Sequence, residues 1–181
     1  MLTVQGDDDE LADWLTATTI DLAVTTTRIP GIEPVDMITD EFLAALPQHH
    51  RLSRSDRVTL ADLVTAGVAD PGGTCGPLLA AGFAEHGVTW QPDHTVRDVS
   101  TVIAMVSAGI TAGVVPALAA PRPTPRGVVL LPLHPPLHRT LYIHPQPHNQ
   151  HAKTLTALLT RTSNQITGPN ESRPTGAKIQ Q

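Results

Sequence analysis

Polar residues at the starts of two predicted helices are well placed to bind a small anion. Thr74 and Cys75 immediately precede one predicted helix, and Asp98 precedes another. A helix N-terminus offers free N–H groups and the positive end of its dipole, and both favour a carboxylate. These residues therefore predict contacts to a small-molecule ligand, with a carboxylate as the expected charged group.

Two threonines form a second candidate. Thr25 and Thr26 directly follow a short apolar stretch, residues 20–24, which is predicted to be a buried strand. Open α/β sheets commonly bind ligands just beyond the ends of such strands. The alternative interpretation is that these threonines, and Thr74 with them, are ordinary loop hydroxyls.

Metal chemistry and covalent catalysis are not expected. Cys75 at a helix start would have a lowered pKa, but no partner base is identifiable, so a structural thiol is the preferred interpretation. The five clustered histidines are His134, His138, His144, His148 and His151. Intervening prolines and the absence of an HExxH pattern argue against a tetrahedral zinc site, so exposed loop and tail histidines are expected. We predict no enzyme activity, no metal and no cofactor.

The clearest structural pattern lies in residues 99–116. Val99, Val102, Ile103 and Val106 recur at helical spacing, and the preceding Asp98 is the expected N-cap. A glycine at 109 suits the left-handed residue that ends a helix. Residues 113–115 form a short continuous stretch with two β-branched valines, which predicts a strand buried on both faces, so helix and strand form half of a parallel unit.

The remaining pattern is that of an α/β protein. Residues 2–5 and 20–24 are predicted strands that flank a helix, which implies a parallel pair. Further strands are predicted at residues 35–46, 67–70, 88–96, 128–133 and 140–143, with helices at 78–86 and 151–161 and a disordered tail at 163–181.

Composition limits the possible functions. The chain has 181 residues, 40% of them hydrophobic, a net charge of −5 and a single cysteine. From the sequence we expect no basic face for nucleic acid, no signal peptide and no apolar run long enough to span a membrane. The cytoplasm is the expected compartment, and direct binding to DNA or to a membrane is not expected.

Several ordered motifs are similar to those of one family. Residues 106–116, VSAGITAGVVP, resemble a run that ends in two hydrophobic residues and proline, although Thr111 stands where the family has its second glycine. Residues 20–24 (IDLAV), 58–63 (VTLADL) and 139–143 (RTLYI) match further family patterns in the same order. The chain therefore resembles the effector-binding domain of LysR-type transcriptional regulators over roughly residues 1–162.

The resemblance implies a two-lobed, periplasmic-binding-protein-like (type 2) α/β fold, truncated at the N-terminus of lobe one. Lobe one would comprise residues 1–50 and 127–162, and lobe two residues 63–120. The hinge crossings would lie at 51–62 and 121–126. Family members carry a winged helix-turn-helix, and their effector domain begins one strand and one helix before Leu2; neither part is expected here.

The resemblance also implies a function. A small-molecule inducer would bind in the cleft between the lobes, with Thr25, Thr74 and Val115 near it, and closure would shift the arrangement of a possible homodimer. Two alternatives stay open: a stand-alone cytoplasmic solute-binding protein of the same fold, and a non-functional remnant.

Overall fold

The computed structural model describes residues 3–147, in a mixed α/β arrangement as expected. The helices are α1 (Asp8–Thr16), α2 (Leu60–Thr65), α3 (Cys75–Glu85) and α4 (Val99–Ser107), with a 3-10 turn at Arg51–Arg54. The strands are β1 (Leu22–Thr25), β2 (Asp36–Pro47), β3 (Val58–Thr59), β4 (Val68–Asp70), β5 (His94–Thr95), β6 (Ala112–Pro116), β7 (Val128–His134) and β8 (His138–Pro145). The helix predicted at 151–161 and the tail at 163–181 lie outside the described residues.

The long strand β2 belongs to two groups of strands. Its residues 36–41 pair antiparallel with β8, which also pairs with β1. Its residues 42–47 pair antiparallel with β6 and β7. β4 pairs parallel with β6 on one side and with β5 on the other, and β3 pairs parallel with β7. We call β1, β8 and residues 36–41 the small sheet, and the other strands the large sheet.

The strand pairing bears on residues that the sequence places in lobe one. Residues 42–47 and 128–134 both pair within the large sheet, and the lobe boundaries stay a prediction. The change of partners falls between Glu41 and Phe42, where the Phe42 N–H donates to the Leu137 carbonyl at 2.8 Å. Where the molecule bends stays a prediction.

Two predicted strands differ from the structure. Residues 3–5 form no strand, and β1 pairs antiparallel with β8, so the predicted parallel pairing of residues 2–5 with 20–24 is wrong. The chain turns into α1 instead, because Asp7 caps that helix by accepting from the Glu10 N–H. Of the strand predicted within 88–96, only β5 forms, because Pro92 lacks an N–H and interrupts the pairing.

The prediction for residues 99–116 is confirmed. Asp98 caps α4, and Gly109 has a φ of +72° just beyond its end. The five apolar side chains expected in the core are at most 5% exposed: Val102, Ile103, Val106, Val114 and Val115. They belong to two apolar clusters, one centred on α3 and the other on α4.

The small sheet has its own modest core, made by Leu15, Ala23 and Ile29. Beside it lies His144, which is fully buried, so the expectation that the clustered histidines are exposed is wrong for this residue. Its Nδ1 lies 2.9 Å from the Ile32 carbonyl, and its Nε2 accepts from the Ile29 N–H at 3.4 Å. These partners fix a neutral ring with the proton on Nδ1, and the ring holds residues 26–34 against the sheet.

Candidate functional site

A buried ion pair lies where the small and large sheets meet. Asp40 and Arg139 are directly opposite each other on β2 and β8. Arg139 contacts Asp40 Oδ2 through Nη2 at 2.8 Å and through Nε at 2.9 Å. Asp40 Oδ1 accepts from the Leu118 N–H at 3.0 Å, just beyond β6. The pair therefore connects the small sheet to a loop of the large one.

Cys75 extends this cluster to the start of α3. Arg139 Nη1 lies 3.5 Å from its Sγ, and the residue is 8% exposed. Burial raises the pKa of the Cys75 thiol; Arg139 lowers that pKa, while the carboxylates of Asp70 and Asp40 raise it further. The net rise keeps the sulfur protonated at neutral pH, which agrees with a structural thiol and not with a nucleophile.

Asp70 ends β4 and faces the same helix start. It is 8% exposed, and its Oδ1 accepts from the Gly72 N–H at 2.8 Å. A Cβ on residue 76 would lie 3.0 Å from Asp70 Oδ2, so glycine at 76 lets the carboxylate approach the first turn of α3. Gly72 has a φ of +66° and lies against the backbone of Val96, which brings the loops after β4 and β5 together.

The start of α3 offers few free donors. Thr74 is half-buried, takes a helical backbone conformation and makes no side-chain cap. The N–H groups of Cys75 and Gly76 both donate to the Gly72 carbonyl, at 3.2 and 3.3 Å. Pro77 has no N–H. The donors on which the sequence prediction relied are therefore mostly engaged or absent.

Asp98 acts as a helix cap. Its carboxylate accepts from the Thr101 N–H at 2.8 Å and from the hydroxyls of Ser100 and Thr101 at 2.7 and 2.9 Å. Hydrogen bonds, first from the Ser100 hydroxyl and then from Thr101, hold the pKa of Asp98 below its usual range. The positive end of α4 already holds an anion.

Thr25 ends β1 on the small sheet, and Thr26 follows it. Thr25 is 1% exposed, and its hydroxyl donates to the Thr27 carbonyl at 2.6 Å. The N–H and hydroxyl of Thr26 both bind Asp8 Oδ2, at 3.0 and 2.7 Å. These groups are therefore satisfied by a carboxylate at the start of α1.

Of the predicted residues, the structure brings only Thr74 and Cys75 to the junction of the sheets. Val115 is fully buried in the apolar cluster of α4 and offers no polar atom to a ligand. Sequence reasoning missed Asp40, Asp70 and the contacts of Arg139. Asp70 was detectable, because it ends a buried parallel strand, the same signal that selected Thr25.

Residues 3–147 contain neither a metal-binding cluster nor a membrane-spanning helix. That part of the chain holds no group of three or more histidine, cysteine or acidic side chains able to bind a metal ion. None of its helices combines the length and the apolar character needed to cross a membrane.

Comparison with known proteins agrees with the fold. The family model described as the LysR substrate binding domain matches residues 2–164. No curated protein matches the chain significantly. The reduced form of OxyR is 22% identical, with a TM-score of 0.69 over 93% of this chain and 82% of that chain. The effector binding domain of QuiR, solved in complex with shikimate, is 18% identical, with a TM-score of 0.70 over 89% of this chain and 80% of that one.

One of the matched proteins is considerably longer than this chain. A LysR family regulator from Pseudomonas aeruginosa, described as putative, is 21% identical, with a TM-score of 0.68 over 90% of this chain. The chain spans 58% of that protein's length. At these identities the neighbours establish a mixed α/β, periplasmic-binding-protein-like fold, and the family assignment rests on the match over residues 2–164. The chain belongs to the LysR substrate-binding domain family.

Proposed function

We propose that this chain is the ligand-sensing module of a LysR-type transcriptional regulator and binds a small-molecule inducer where its two sheets meet. The observation that carries the proposal is the family match over residues 2–164. Two neighbours support a small-molecule ligand, since the QuiR domain was solved in complex with shikimate and the CcmR regulatory domain in complex with 2-PG.

The proposed lobes follow the strand pairing. Lobe one contains the small sheet with α1, and lobe two contains the large sheet with α3 and α4. The predicted range for lobe two, 63–120, lies within this second unit, which also includes residues 42–47 and 128–134. The ligand site is then the junction occupied by Asp40, Arg139, Cys75 and Asp70.

The ion pair supplies a physical link between ligand and lobe arrangement. Asp40 and Arg139 lie on the small sheet, while their other partners are the Leu118 N–H in the loop after β6 and Cys75 at the start of α3. A ligand that binds one relative placement of these groups better than another shifts the population toward that placement. The proposed function is regulatory and includes no covalent step.

Three further parts of the proposal concern the surroundings of the module. With a net charge of −5, this chain is not expected to contact DNA directly. We propose that it works in the cytoplasm and pairs with a second copy of itself. A stand-alone solute-binding protein would also bind a small molecule, but without coupling to a regulator.

A ligand screen tests the proposal. The 181-residue chain is heated with members of a neutral, anionic and cationic metabolite set, and saturable rises in Tm are confirmed by calorimetry. Hydrogen exchange with the confirmed ligand should show added protection at residues 70–76 and 117–118. The proposal would be contradicted if no compound of the set bound saturably. It would also be contradicted if a bound compound left hydrogen exchange at both segments unchanged.

A further inference from the structure

Only two connections join the small sheet to the large one within residues 3–147. The first lies inside β2, between Glu41 and Phe42, and the second is residues 135–137, between β7 and β8. They run side by side, because the Phe42 N–H donates to the Leu137 carbonyl at 2.8 Å. Any relative motion of the two sheets must therefore deform both connections at this place.

The second connection is held by α3. The Leu137 side chain is 6% exposed and belongs to the apolar cluster centred on that helix. A Cβ on residue 82 would lie 3.2 Å from Leu137 Cδ2 and 3.4 Å from its Cδ1. Gly82 therefore forms a notch in α3 that receives the leucine, and a side chain at residue 82 would displace it.

A further contact with the same helix lies two turns earlier. Arg139, the second residue of β8, places its Nη1 3.5 Å from the Sγ of Cys75, the first residue of α3. Residues 75 and 82 are at helical positions i and i+7, so they lie on the same face. The helix therefore touches this part of the chain at two points, Leu137 through Gly82 and Arg139 through Cys75.

We propose that α3 clamps the second connection, and that Gly82 is the positioning residue of this clamp. With Leu137 seated in the notch, Arg139 stays against Cys75 and the junction of the sheets is covered. When Leu137 leaves the notch, Arg139 moves away and the junction opens. The inference rests on the proposed function, because it names the element that controls access to that same site.

The single cysteine of the chain reports on the clamp. Cys75 is 8% exposed, so DTNB added to the full chain reacts with it only when the junction opens. Gly82→Val should displace Leu137, and Leu137→Ala should empty the notch. Each should raise the rate of reaction at least about tenfold. Gly82→Ala, a milder change, should raise it about threefold.

A double variant separates positioning from a general loss of packing. When Gly82→Val is combined with Leu137→Ala, the carbon atoms gained at one position equal in number those lost at the other, so the total volume is kept. The rate should then return to within about threefold of the wild type. Ala81→Val places the same new side chain at an exposed position of α3 and should leave the rate within about twofold.

The urea dependence shows which motion exposes the thiol. Local opening exposes little surface, so in dilute urea the rate should rise much less steeply than global unfolding followed by circular dichroism. Should Gly82→Val fail to fold, Gly82→Ala and the double variant carry the same comparison.

Three results would overturn the inference: single variants that react at the wild-type rate, a double variant that reacts as fast as the single ones, or rates that follow global unfolding. None of these measurements needs the inducer. If the clamp fails these tests while a metabolite still binds saturably, the sensing function stands. If the clamp passes them and no metabolite binds, the sensing function itself fails.

Discussion

Removing one member of the Asp40–Arg139 pair should cost more stability than removing both. Their side chains are 1% and 11% exposed, so solvent screens the interaction little. Arg139→Met leaves the Asp40 carboxylate buried with only the Leu118 N–H as donor, and an unpaired buried charge costs about 3–5 kcal/mol. For a domain of this size each kcal/mol lowers Tm by about 2–4 °C, so we expect a fall of at least ~6 °C.

A double-mutant cycle isolates the pairing. Asp40→Asn keeps an acceptor for the Leu118 N–H but leaves the guanidinium unpaired, so it should also destabilise strongly. The double variant, with neither charge, should be more stable than the sum of the single losses implies, by about 1.5 kcal/mol or more. Urea unfolding followed by circular dichroism measures all four proteins. Single losses below about 1 kcal/mol that simply add would refute the reasoning that this pair is buried and coupled.

Three further predictions concern other parts of the chain. Burial lowers the pKa of His144, so the unfolded chain binds a proton there more readily; stability should fall as pH drops below about 6.5, seen as a lower Tm. Val106→Asp should cost several kcal/mol in chemical unfolding, because it buries an unpaired charge in a fully buried position of α4. The isolated chain should give no sequence-specific gel shift with duplex DNA, given its net charge of −5.

Each of these has a control. In His144→Gln, Tm should fall less between pH 7 and pH 5.5 than in the wild type. An equal fall in the variant would assign the pH dependence to other groups. Arg28 and Glu33 are the charged side chains near the ring. Ala104→Asp places the same charge on the exposed side of α4 and should be tolerated, so equal losses at 104 and 106 would contradict the assigned helix face. Salt-sensitive, sequence-specific DNA binding by the purified chain would overturn the third prediction.

Local patterns predicted α4 and β6 well because the signals that make them are local. Asp98 caps the helix within three residues, and the apolar spacing directly selects the buried face. The glycine at 109 ends the helix at the position where a left-handed residue is needed. None of these features depends on a distant part of the chain.

The site was harder to predict because its contacts are long-range. Asp40 and Arg139 are separated by 99 positions, and Cys75 and Arg139 by 64. Nothing in the spacing around Asp40 distinguishes it from an exposed acidic residue on an alternating strand, since its burial is caused by β8 and by the loop after β6. The donors after β1 show the same difficulty, because those of Thr26 bind Asp8, 18 positions earlier in the chain.

The change of strand partners within β2 was hard to predict for a related reason. The polar stretch after residue 47 has the composition of a connection, whereas the actual change of sheet occurs inside β2, where the sequence remains strand-like throughout. Backbone hydrogen bonds form between strands of any composition. The residue at which a strand changes partners therefore cannot be recognised from the amino-acid composition. The consequence is mechanical: relative motion of the two sheets would have to bend β2 near Glu41 and Phe42. Asp40 and Arg139 lie directly beside that point, so their ion pair would oppose such bending.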